Sequence, residues 1–177
     1  MKQKIKNVVL VLTVLMGIAL GYAISIRTDV SSGIEDVLSS GILIIVELSL
    51  IAAFTNEKKE SAFWSLFLGG AISLGSQWIK IQSFFEFRDG QYIVYAVWDL
   101  LIMLFAFFIV GYILGFCHGT GAMAFVIKSL LVLFCIYVSI KTGGQNKSAL
   151  LIILSSTLIT IILMGYVYIY DKRKEAI

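Results

Sequence analysis

Six long apolar stretches separated by short polar connections organise this chain, and they fall at about 7–25, 33–54, 62–85, 92–115, 122–140 and 149–170. At about 1.5 Å per residue, about 20 residues cross a hydrocarbon core roughly 30 Å thick, and each stretch approaches or reaches that length. The longest apolar run, QYIVYAVWDLLIMLFAFFIVGYILGF at 91–116, carries a carboxylate, Asp99, well inside it. The pattern predicts an all-α, polytopic integral membrane protein: a single transmembrane domain over 1–177, built as a bundle of about six helices.

The connections carry their own signals. Ser32-x-x-Glu35 has capping-box spacing and predicts that the second helix starts near Gly33. TNEKKES, EFRDGQ, CHGTG and KTGGQNKS mark the later turns through clustered charge, Asp-Gly and paired glycines. In the first helix, Gly17-x-x-x-Gly21 and Ala19-x-x-x-Ala23 place small residues where another helix can approach closely. The same segment, with Lys2, Lys4 and Lys6 ahead of an apolar run and Ala23-x-Ser25 behind it, also has the layout of a cleaved signal peptide. Retention as a helix is preferred, because five remaining spans would put the basic carboxyl end on the wrong side.

With six spans, Lys2, Lys4, Lys6, Lys58, Lys59, Lys172, Arg173 and Lys174 share one side, against Arg27, Arg88, Lys141 and Lys147 on the other. The positive-inside rule then predicts both termini in the cytoplasm and a multi-pass protein of the cell membrane, surrounded by lipid.

Composition agrees with this layout. The 177 residues are 59% hydrophobic and 14% charged, with 15 glycines and no proline, so unbroken helices are expected. The net charge of +3 sits at membrane flanks and forms no nucleic-acid-binding stripe. Cys117 and Cys135, at a helix end and inside a helix, are expected to be free thiols.

Four ionisable residues fall within the expected spans: Glu47, Lys80, Asp99 and Lys128. Counted from the helix ends, Asp99 and Lys80 lie about 8–10 Å from the outer surface, and Glu47 and Lys128 about 9–10 Å from the inner one. Two buried pairs are therefore expected, Lys80 with Asp99 and Glu47 with Lys128. They either orient the bundle or form a polar path for a solute or proton. The short carboxylate side chains of Glu47 and Asp99 cannot reach the interface from that depth, whereas a lysine can.

On the third helix, Ser65, Gly69, Ser73, Gln77 and Lys80 share one face, either as a packing seam or as a polar lining. Trp78, Tyr95 and Trp98 lie near helix ends, where interfacial aromatic belts place them. The other reading of these rings is an outward-facing ligand pocket with Gln77 and Asp99.

Other chemistry is missing from the sequence. His118 is the lone histidine, and no phosphate loop, G-x-S-x-G or H-E-x-x-H occurs, so no catalytic residue, cofactor or metal is assigned. Cys117 beside His118 has residue types found in membrane cysteine peptidases, but neighbours at a helix end point apart and are read as turn residues.

In size, six-helix layout and a small-x-x-x-small first helix, the chain resembles the substrate-binding membrane subunits of energy-coupling-factor vitamin transporters. The resemblance implies a partner membrane subunit and an ATPase, and it assigns no site residue. The expectation is a transport-related protein that binds or conducts a small molecule through its core. The alternative is a non-catalytic interaction protein, such as an immunity, assembly or sensor-accessory factor, whose buried charges only specify packing.

Overall fold

The computed structural model describes residues 2–26, 37–38, 40–87, 90–119, 121–143 and 147–175. Within them the chain is all-α, with six helices: α1 (Lys2–Ser25), α2 (Ile42–Phe54), α3 (Lys58–Phe87), α4 (Gly90–Leu114), α5 (Ala122–Gly143) and α6 (Lys147–Glu175). A 3₁₀ turn, Gly115–Cys117, closes α4. Helices α1, α4, α5 and α6 are long and apolar enough to cross a bilayer, which marks the chain as a multi-pass membrane protein. Helix α3, at 30 residues, is longer than any of these, but its serines, glycines, Gln77 and Lys80 make it more polar.

The third helix is polar because protein covers it on two sides. It packs between α1 and α4, and the small residues of α1 meet those of α3. A Cβ built on Gly21 would overlap the carbonyl of Ile72 and the amide of Ser76, and one on Gly75 would overlap the carbonyl of Ile18 and the amide of Tyr22. The two backbones therefore touch directly, the close approach expected of the Gly17-x-x-x-Gly21 face. On the opposite side Ser65 meets Gly111, Gly69 meets Phe107 and Gln77 meets Asp99 on α4. The polar stripe of α3 is thus a seam against α4.

The second helix differs from its expected form. The structure starts it at Ile42, and the Ser32-x-x-Glu35 box lies outside the described residues. Val37 and Leu38 are helical, but Gly41 takes the left-handed conformation at φ 71° and turns the chain. The Ser40 hydroxyl donates to the Val37 carbonyl at 2.7 Å and accepts from the Ile42 amide at 3.3 Å, bridging the break. The 13 residues of α2 rise only about 20 Å, too short to cross alone. A side chain at position 41 would meet no neighbour, so its penalty is conformational. Gly41→Ala is expected to lower stability by about 1–2 kcal/mol, read as a lower melting temperature. An unchanged melt would mean that the turn is not needed.

Helix α2 joins the α1–α3–α4 layer to the α5–α6 hairpin. Leu48, Ile51 and Ala52 pack with Leu10, Leu68, Ile127 and Met164, and Ile42 and Ile45 pack with Cys135, Val138 and Ile153. Both cysteines are buried and unbridged. The outer faces carry exposed Leu, Ile, Val and Phe side chains along α1, α4, α5 and α6, a surface that suits lipid and not water.

The helix ends fall into register at one end of the bundle. The Lys6 ammonium lies 2.6 Å from the Glu60 carboxylate, joining the first turns of α1 and α3. Lys58 sits 3.6 Å over the ring of Phe116, at the end of α4. Asp171, near the end of α6, accepts from the Gly119 amide at 2.9 Å. The described ends of α1 and α6 therefore lie together with the α2–α3 and α4–α5 connections.

Candidate functional site

Three places in the described interior hold a buried amide, ammonium or carboxyl group. The first is on the seam between α3 and α4, where the Gln77 side-chain amide donates to Asp99 at 2.8 Å. Gln77 is buried, and its carbonyl oxygen has no partner among the described residues. The structure thus brings two of the expected site residues together. Trp78, Tyr95 and Trp98 are 55%, 63% and 60% exposed, so their rings stand on the outer surface and do not close over Gln77. The side chain of Lys80, the expected partner of Asp99, lies outside the described residues.

The second place is at the end of the bundle where the termini converge. Lys128 is buried on α5, and its ammonium reaches Asp171 at 3.1 Å and the Gly119 carbonyl at 3.2 Å. Asp171 is itself buried and also faces His118, with Nδ1 at 3.5 Å. The other ring nitrogen of His118, Nε2, donates to the Ala52 carbonyl at 2.7 Å. The contact to Asp171 becomes a charge-assisted hydrogen bond only when the ring carries both protons. One carboxylate thus ties the ends of α5 and α6 to the α4–α5 connection, while His118 ties that connection to α2.

This cluster corrects the expected pair of Glu47 with Lys128. A lysine stem extends several ångströms along its helix towards the nearer interface, and in that direction the anion is Asp171. The apolar pattern ends the last span at 170 and so leaves Asp171 just outside it. Helix α6 in fact continues to Glu175. Its buried positions Ile153, Ser156, Thr160, Met164, Val167 and Asp171 recur every three or four residues, so carrying that register one turn further would have found the aspartate. His118 belongs to this structural tie, and its nitrogens face Ala52 and Asp171 while the adjacent Cys117 is fully buried.

The third place is Glu47, in the middle of α2. It is 4% exposed, and its Oε2 is buried without a hydrogen-bond partner among the described residues. Neither a hydrogen bond nor an ion pair holds this carboxyl within that set. It lines a cavity of about 310 Å³ between α1 and α2, with Met16, Leu20, Leu43, Val46 and Leu50 among the walls. Ala19 and Ala23, the second small-residue pair of α1, line the same cavity. Met16 and Ala19 are exposed, so the cavity opens on the flank of the bundle.

Burying a carboxyl without a partner costs several kcal/mol if it is charged and roughly 1–3 kcal/mol if it is not. Gln77 bonds Asp99 through its amide N–H, and Lys128 bonds Asp171 and the Gly119 carbonyl, whereas Glu47 has an apolar cavity in front of it. Of the residues singled out from the sequence whose side chains are described, it alone combines a described cavity with an unsatisfied buried group.

Comparison with family models, with curated proteins and with solved structures returns no match. The layout resemblance to vitamin-transporter subunits therefore rests on the helices alone. The Gly17 and Gly21 face, which that resemblance would give to a partner subunit, is covered in this chain by Leu68, Ala71 and Ile72 of α3.

Proposed function

We propose that the chain is a transport-related protein of the cell membrane that binds a small solute at Glu47, in the cleft between α1 and α2. The observation that carries this reading is the buried, unpartnered Oε2 of Glu47 on an open cavity of about 310 Å³. That volume is at the small end of ligand sites, and a few polar atoms in apolar walls are what such sites use for orientation. Both termini are assigned to the cytoplasm, because Lys4, Lys6, Lys58, Lys59, Lys172 and Arg173 converge at one end of the bundle. With no phosphate-binding motif in the sequence, movement of a solute would draw on a gradient or on a partner membrane subunit and ATPase.

Thermal unfolding of the full chain in lipid nanodiscs, titrated with a panel of small solutes, tests this. A ligand held at ten times its Kd stabilises the folded state by about 1.4 kcal/mol, enough to move a melting curve. Glu47→Leu is expected to abolish the shift and to melt at or above the wild-type temperature, because it removes an unsatisfied buried group. If no solute shifts the wild type, or if Glu47→Leu responds equally, the site is not at Glu47.

The second reading, a non-catalytic interaction protein, is favoured by one observation. The Lys128, Asp171 and His118 groups all turn inward onto the chain's own elements. Co-purification of a stoichiometric partner from native membranes, with no solute effect, would select it.

A further inference from the structure

The walls around Glu47 say more about the ligand than that it is small. Resting on the Glu47 site proposed above, we infer that the solute is an apolar monoamine bound in its ammonium form: one primary or secondary ammonium on a single ring or branched apolar body. The charge follows from Glu47, which supplies the one ionisable side chain on the cavity among the described residues. A monocation neutralises it, an anion is repelled, and the second charge of a dication would be left among Leu20, Leu43, Val46 and Leu50 without a partner.

The type of cation follows from the unsatisfied oxygen. Oε2 is an acceptor in need of a donor. An ammonium N–H supplies one, whereas a quaternary ammonium supplies charge without a hydrogen bond. The body of the ligand follows from the remaining described walls, which are apolar. A sugar or peptide would leave several polar groups unpaired there, each costing about 1–3 kcal/mol. The exposed Met16 and Ala19 put the opening on the lipid-facing flank, so the entry route also suits an amphipathic amine. A phosphatidylethanolamine headgroup carries the same ammonium, but its phosphate would have to follow it towards these apolar walls. The site is therefore assigned to a free amine.

The test is protection of Glu47 from dicyclohexylcarbodiimide. This apolar reagent enters from the lipid and adds to carboxyls that it can reach and that take up a proton. The full chain is reconstituted in phosphatidylcholine vesicles, treated with the reagent, and mapped by peptide mass. Labelling is expected on the peptide carrying Glu47. Phenethylammonium at ten times its Kd is expected to slow that labelling roughly tenfold, by simple competition for one site. Phenethyl alcohol, which has the same apolar body without the charge, and the N,N,N-trimethyl form, which has the charge without the donor, are expected to protect far less.

If Glu47 is labelled and the ammonium does not protect it, or protects no better than the alcohol or the trimethyl form, the amine assignment falls and the Glu47 site stands. Protection by phosphatidylethanolamine vesicles alone would overturn the free-amine assignment in favour of a lipid headgroup. If Glu47 stays unlabelled while another carboxyl in the chain reacts, the site and the amine fall together.

Discussion

Lys128→Met is expected to cost about 3–5 kcal/mol of stability. The ammonium it removes is buried and bonded to Asp171 at 3.1 Å and to the Gly119 carbonyl at 3.2 Å, so the change strands a buried carboxylate. Asp171→Leu should do similar harm from the other side. It strands the ammonium and also takes the acceptor from the Gly119 amide. Combined, the two changes leave neither charge buried alone. The double variant should therefore lose clearly less than the sum of the two single losses, by roughly 1–3 kcal/mol. It will not regain the wild-type melting temperature, because the Gly119 amide still lacks its acceptor. Melting curves of the four proteins in nanodiscs measure this directly, and strictly additive losses would show that the pair is not coupled.

The second large effect is expected at the α1–α3 contact. Gly75→Leu should reduce the folded fraction more than a typical overpacked core change, which costs about 1–3 kcal/mol. Even the first carbon of the new side chain would overlap backbone atoms, the Ile18 carbonyl and the Tyr22 amide, and backbone cannot swing aside as a side-chain tip can. The two helices would have to separate along their whole contact. Gly165→Ala is the matched control. A Cβ there meets nothing within 4 Å, and alanine favours the helix by up to about 1 kcal/mol, so the control should fold as well as the wild type or better. Size-exclusion profiles and melting temperatures of the two variants make the comparison. Equal behaviour would mean that α1 and α3 do not meet as closely as described.

The gross fold was legible because it depends on run length and on where charges interrupt the runs. Expected boundaries at 92–115 and 122–140 lie within a few residues of Gly90–Leu114 and Ala122–Gly143. The α3 stripe of Ser65, Gly69, Ser73 and Gln77 was legible as a face, since helical periodicity needs no knowledge of neighbours. What covers that face was not, because a packing seam and a polar lining use the same small residues. Asp99 shows the same limit: matching depth put it level with Lys80, and the structure adds its hydrogen bond with Gln77 at 2.8 Å.

Partner choice among the buried charges was the hardest part to read. Depth along a helix is a one-dimensional measure, and it paired Glu47 with Lys128 because both lie near 9–10 Å from the same surface. The sequence by itself determined an all-α membrane protein, its polar punctuation, its basic ends and the residues whose burial needs an explanation. Apolar length and charge are local properties, so they survive without coordinates. Only the tertiary structure decided that the chain turns at Gly41, that Lys128 reaches along its helix to Asp171, and that Glu47 is left facing a cavity beside α1. Those outcomes depend on which helices are neighbours, on how they are rotated and on how far each side chain extends.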